Sequence, residues 1–170
     1  ENMIRAGIIG ATGYAGAEIL RILAVHPNVE VKWIGSRSYA DQKIAAVYGN
    51  LFHVVDLSLI NDDTEQMKKE ILKLADEVDV IFTATPQGAC AGLVSRELLE
   101  KVKIIDMSAD FRLKDVSVYE AWYKIHHASP EFLPEAVYGL VEINRKDIPS
   151  ARLLANPGCY TTCSILTAYP

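Results

Sequence analysis

The stretch Ala6-Gly7-Ile8-Ile9-Gly10-Ala11-Thr12-Gly13-Tyr14-Ala15-Gly16 decides the fold. An apolar run ends at Gly10, and helical spacing begins a few residues later. A strand that turns through glycines into a helix is the context of a dinucleotide-binding turn. Gly10 would allow the tight turn. Gly13 would let the backbone approach a pyrophosphate. Gly16 would let helix and strand pack closely, with the pyrophosphate on the unpaired amides of the helix N-terminus. The spacing is GxxGxxG, so a βα turn without ligand is the competing reading.

Outward from this turn, two patterns alternate. Runs rich in β-branched residues read as buried strands at 4–9, 29–34, 78–82, 102–107 and 153–155. Helical spacing appears at 17–25 (Ile19, Leu20 and Leu23 on one face), at 64–75 (Met67, Ile71, Leu72 and Ala75) and in a shorter segment at 92–99. Strands alternating with helices imply βαβ units. The expected fold is α/β, a Rossmann-type doubly wound and mainly parallel sheet with helices on both faces. The stretch 110–149 has weak periodicity and reads as an irregular connection. There is no internal repeat.

The 170 residues suffice for one domain with a sizeable core. Half are hydrophobic, 23% are charged, and the net charge is −5. That balance argues against nucleic acid or an anionic membrane as partner. No apolar run approaches the ~18 residues of a membrane helix. Glu1 and Asn2 precede Met3, the expected initiator, and no secretory pattern follows. The three cysteines, Cys90, Cys159 and Cys163, read as reduced thiols of a cytoplasmic protein. No His or further Cys lies near Cys159 and Cys163 with ligand spacing, so no metal site is expected.

A NAD-binding domain would place an Asp or Glu about 20 residues past the glycine turn. Here the second strand runs out through Gly35-Ser36-Arg37-Ser38, with no acid. An arginine flanked by hydroxyls suits the 2′-phosphate of NADP. Near the other end, Asn156-Pro157-Gly158-Cys159 leads from a strand into a helix. Amides at a helix start favour a thiolate, and a thiolate attacks acyl carbonyls. On local geometry alone, Cys159 is equally a nucleophile or a small buried hydrophobe, whereas Cys90 and Cys163 read as buried and inert. Arg112 follows the strand at 102–107, and doubly wound folds bind ligands at such strand ends. It could clamp an anion or simply pair with Asp115. The segment at 83–88, with Pro86, could contact the nicotinamide ribose or be only a turn. His126 and His127 read as surface residues.

These segments together resemble the N-acetyl-gamma-glutamyl-phosphate reductase family, a branch of the aspartate-semialdehyde dehydrogenase superfamily. The matching pieces are GATGYAG (10–16), SR (36–37), SADFR (108–112), VYGLVEINR (137–145) and ANPGCYTT (155–162), in the family's order. The resemblance implies that Cys159 is the catalytic thiol. It implies substrate or phosphate contacts from Arg112, with Ser108 and Asn156 beside it. It implies NADP on Gly10, Thr12, Gly13, Tyr14, Ala15 and Gly16, and on Ser36, Arg37 and Pro86. The implied reaction is NADPH-dependent reduction of a small-molecule acyl phosphate, N-acetyl-glutamyl phosphate, through a cysteine thioester in arginine biosynthesis.

Val141, Gln87 and Thr161 stand where the family usually has Pro, His and Pro. None of the three removes a chemical group that the reaction needs. Two alternatives stay open: another acyl-phosphate reductase of the superfamily, acting on aminoadipyl or aspartyl phosphate, and a non-catalytic NADP-binding module. The family carries a second domain with a catalytic His after the cysteine. Residues 1–155 are therefore expected to be the NADP-binding domain and 156–170 the start of a catalytic domain. The 170 residues alone would bind NADP without turnover, and a full-length form would be a homo-oligomer.

Overall fold

The computed structural model describes residues 3–169; Glu1, Asn2 and Pro170, and with them the residues ahead of Met3, lie outside the described residues. Seven strands form one sheet: β1 (Ile4–Ile9), β2 (Val29–Gly35), β3 (Leu59–Ile60), β4 (Val80–Thr83), β5 (Lys103–Asp106), β6 (Val137–Tyr138) and β7 (Leu153–Ala155). Their order is β3-β2-β1-β4-β5-β7-β6, and every described pair is parallel. The order runs outward in both directions from the β1–β4 pair. The strand ends that face ligand in such sheets therefore open a crevice between β1 and β4.

Strand alternation divides the core between the two faces. Ile8 and Ile34 pack with Leu20, Ile44, Leu51 and Leu59 in one cluster. Their neighbours Ile9 and Trp33 turn the other way and join Met67, Ile71, Ile81, Leu98 and Phe111. The first cluster is covered by α1 (Tyr14–Leu23) and α2 (Ile44–Val47), the second by α3 (Thr64–Ala75) and α4 (Arg96–Lys101). This is the expected doubly wound α/β arrangement of Rossmann type. Asp63 caps α3 by accepting from Glu65 N, and Ser95 caps α4 by accepting from Leu98 N, each satisfying an orphan amide. No described helix is long and apolar enough to cross a membrane.

The connection at 110–149 departs from the sequence reading. It holds α5 (Val116–Tyr123), β6 and α6 (Val141–Asn144). Asp115 caps α5 by accepting from Ser117 N, and Lys124 ends it in the left-handed region at φ 58°. Helix α4 begins at Arg96, four residues later than the segment expected at 92–99, because Ser95 supplies the cap. His127 is not a surface residue: it is 1% exposed, whereas His126 stays exposed. The last helix, α7 (Cys159–Ala168), has no buried residue among those described, so Cys163 is exposed and not buried as its spacing suggested.

Candidate functional site

The glycine turn forms the floor of a cleft of ≈230 Å³ at the ends of β1, β2 and β4. Gly10 adopts φ +80°, a conformation open to glycine, and a Cβ there would meet Ala84 O at 2.2 Å. Gly16 is buried beneath it: a Cβ would lie 2.0 Å from Gly10 O. Gly13 begins α1 without a side-chain cap, so the helix start can offer its amides to an anion. Thr12 and Ser36 share a hydrogen bond of 2.7 Å between their hydroxyls, and Tyr48 OH donates to Thr12 O at 2.8 Å.

Gly10, Thr12, Gly13, Ser36, Arg37 and Pro86 all line the cleft. Tyr14 and Ala15 stand exposed in the first turn of α1, outside the lining. Ser36 is 2% exposed and its hydroxyl is engaged with Thr12, so Arg37 and Ser38 are the exposed members of that wall. A bare helix start beside an exposed arginine fits the pyrophosphate and anionic ribose end of a nicotinamide dinucleotide. Asp62, which sequence reasoning missed, also lines the cleft and accepts from Gly10 N at 2.7 Å.

The second half of the site lies at the ends of β5 and β7. Cys159 is exposed and opens α7, with uncapped Gly158 before it. Arg112 reaches this turn. Its Nε donates to Asn156 O and its Nη2 to Met107 O, each at 2.8 Å. A Cβ on Gly158 would meet Arg112 Nη1 at 3.0 Å, so the guanidinium lies directly against the turn. The pairing with Asp115 suggested by spacing is not made, because Asp115 is turned to the α5 cap. Both bonds that hold Arg112 go to carbonyls, which leave its positive charge unneutralised.

Ser108 is less available than expected. It is buried, and its hydroxyl donates to Asp106 Oδ2 at 2.7 Å while accepting from Asp110 N. It is a turn residue whose side chain points into the fold. Asn156 contributes its carbonyl to Arg112, and its side-chain amide donates to Pro157 O.

A buried polar network joins the two halves. Asp110 accepts from Gly88 N, Ala91 N and Tyr119 OH, tying the loop after β4 to the segment after β5. Ser129 N donates to His127 Nδ1, which leaves Nε2 to donate to Asp110 O at 2.7 Å. Asp106 accepts from Thr83 and Ser108; burial nevertheless pushes its carboxyl above the usual range. Burial, with Asp106 nearby, pushes the Cys90 thiol well up, so Cys90 stays a protonated, packed thiol as its setting in the sequence suggested.

The fold and its two half-sites define a dinucleotide-binding α/β domain that leads into a thiol-bearing helix. The sequence pattern of the semialdehyde dehydrogenase NAD binding domain matches residues 5–151. The chain belongs to that family and is a nicotinamide-dinucleotide-binding domain. Curated relatives agree along its whole length. The N-acetyl-gamma-glutamyl-phosphate reductase of Lachnospira eligens is 60% identical over 99% of this chain and 47% of its own. That of Campylobacter jejuni strain 81-176 is 47% identical over 98% of this chain and 46% of its own. The chain thus spans about half the length of the curated relatives it matches. Among solved structures, aspartate semialdehyde dehydrogenase II of Vibrio cholerae superposes with TM-score 0.64 at 17% identity, over 97% of this chain and 45% of its own. The Candida albicans enzyme with NADP gives TM-score 0.61 at 16% identity, over 96% of this chain and 45% of its own. At these identities the structural likeness speaks for the fold.

Proposed function

We propose that this chain is the dinucleotide-binding part, with the catalytic thiol, of an N-acetyl-gamma-glutamyl-phosphate reductase. Residues 1–155 form the NADP-binding domain and 156–170 begin the catalytic one. The reaction reduces N-acetyl-glutamyl phosphate to N-acetylglutamate semialdehyde and releases phosphate, in arginine biosynthesis in the cytoplasm. The full-length enzyme is a homo-oligomer. The observation that carries the reading is the meeting of Arg112 with the Gly158–Cys159 turn. A cation and a thiol at a helix start are what an acyl phosphate requires.

The Cys159 thiolate attacks the acyl carbon, and phosphate leaves as the thioester forms. The first amides of α7 are placed to receive the oxyanion that forms on the acyl oxygen. Arg112 holds the anionic end of the substrate against the turn, with Asn156 supporting it. When bound, the dinucleotide would supply a hydride to the acyl carbon; the carbon–sulfur bond then breaks, which releases the semialdehyde and returns the Cys159 thiolate. Arg37 takes the 2′-phosphate that marks NADP. The 170 residues alone bind the cofactor and do not turn over substrate.

The test uses an enzyme of the relatives' length that carries these 170 residues. Acyl-phosphate-dependent NADPH oxidation should fall about 10³-fold or more in Cys159→Ser, with NADPH binding intact. Retained turnover, or a comparable loss in Cys163→Ser instead, would remove Cys159 as the nucleophile.

A further inference from the structure

The second strand ends at Gly35, which offers no side chain where a NAD-type domain places its acid. That space is filled. A Cβ on Gly35 would lie 2.7 Å from Asp62 Cβ and 3.0 Å from Asp62 Oδ2. β2 and β3 pair in parallel with Gly35 opposite Ile60, so the chain leaving β3 crosses over Gly35 two residues later. The crossing is fixed on one side by Asp63, which caps α3, and on the other by Oδ2 of Asp62 on Gly10 N at 2.7 Å. Among the described residues, no hydrogen bond from another residue reaches Asp62 Oδ1, and the side chain lines the cleft with Arg37.

We propose that Asp62 is the acid of the cofactor cleft, receiving an adenosine ribose hydroxyl from the end of β3 in place of the side chain that β2 lacks, and that its charge opposes Arg37 in setting the preference for a 2′-phosphate. The proposal rests on the cleft being a dinucleotide site. A ribose with two free hydroxyls gains a charge-assisted hydrogen bond from Oδ1. A ribose bearing a 2′-phosphate keeps one hydroxyl and brings two negative charges toward the carboxylate, which Arg37 must outweigh. Burial leaves the Asp62 pKa above the usual carboxylate value, and the Gly10 amide and the Arg37 charge draw it only part of the way back.

A brace for the glycine turn would look the same in the apo protein but behaves differently on binding. Loss of a brace weakens both cofactors equally, whereas loss of a ribose acid changes their ratio. Asp62→Asn keeps an oxygen for Gly10 N and removes the charge. NADH affinity of the 170-residue chain, read by calorimetry, should fall about tenfold. NADPH should hold or tighten, so the ratio moves at least about tenfold toward NADPH. The double variant Gly35→Asp with Asp62→Gly returns an acid to β2, and should bring NADH affinity back to within a few-fold of the parent. Equal losses of both cofactors, an unmoved ratio, or no recovery in the double variant would overturn the proposal. Failure of the parent chain to bind either dinucleotide would overturn it together with the cleft assignment. A ratio that responds to Asp62→Asn but not to Arg37→Gln would overturn the opposition between the two charges and leave Asp62 as the ribose acid alone.

Discussion

Arg37 and Asp62 show how much a single position depends on its neighbours. Arg37 is exposed at the end of β2, and Ser36 beside it has already given its hydroxyl to Thr12. The exposed side chains of this wall that can meet a phosphate are therefore the guanidinium and Ser38. Arg37→Asp should weaken NADPH by about ten- to a hundredfold, since hydrogen bonds to charged groups are worth ~1.5–3 kcal/mol. It should also improve NADH, reversing the order of affinities in fluorescence titration; an unchanged order would show that the 2′-phosphate lies elsewhere. Arg37 was legible because it directly follows a readable strand. Asp62 was not, because its place over Gly35 depends on which strand lies next to β2. Arg112 was legible as a cation near the site, but spacing alone suggested the wrong partner. Its carbonyl partners, Asn156 O and Met107 O, come from the ends of two strands brought together by the sheet.

Elements were readable in proportion to their length and periodicity. Five strands and the helix at 64–75 emerge from patterning because each buries several residues in a regular rhythm. β3 and β6 have two residues each, too few to show a period, and are strands only because β2 and β7 pair with them. α5 was hidden for another reason. Its sequence VSVYEAWY is β-branched and aromatic, and Tyr119 is its one buried residue among those described. The junction of β1 with α1 is the opposite case, since its glycines announce their packing. Gly16→Ala would press a methyl group into backbone atoms, Gly10 O at 2.0 Å and Ala11 Cα at 2.9 Å, with no flexible side chain to yield. α1 would have to lift from β1, loosening Leu20 in its cluster. The expected destabilisation is about 2–3 kcal/mol in urea unfolding. The exposed neighbour supplies the comparison: Ala15→Gly should cost ~1 kcal/mol or less. If the two variants melt alike, the helix has room that the structure denies it.

Stability across the whole molecule should follow the distribution of burial. The sheet centre is covered on both faces, and Met67 and Ile71 of α3 lie in the larger cluster. Asp110 and its partners lock the loops after β4 and β5 to α5 with buried hydrogen bonds. α7 has neither support. It is joined to the rest through Arg112 against Gly158 and Tyr138 OH on Thr161, both at its first turn. Its later residues are mostly exposed, Leu166 at 40%, and only Ile165 among them is half-buried, beside Leu113, Tyr123 and Tyr138. A ten-residue helix held at one end is marginal in water, because propagation barely offsets nucleation. In the 170-residue chain, the amides at 165–168 should therefore exchange by local fraying, with protection of about 10–100-fold. Amides at 67–71 should need nearly global unfolding and be protected by about 10³-fold or more. Saturating NADPH should slow the glycine turn and α3 further, while 165–168 stays fast, because cofactor binding does not cover that face. The same amides followed in an enzyme of the relatives' length should slow by at least about tenfold if further chain packs on α7. Hydrogen exchange read by mass spectrometry separates these cases. Uniform protection of α7 and α3 in the short chain would mean that the thiol-bearing helix is rigid without a cover. Cys159 would then be positioned by this domain alone.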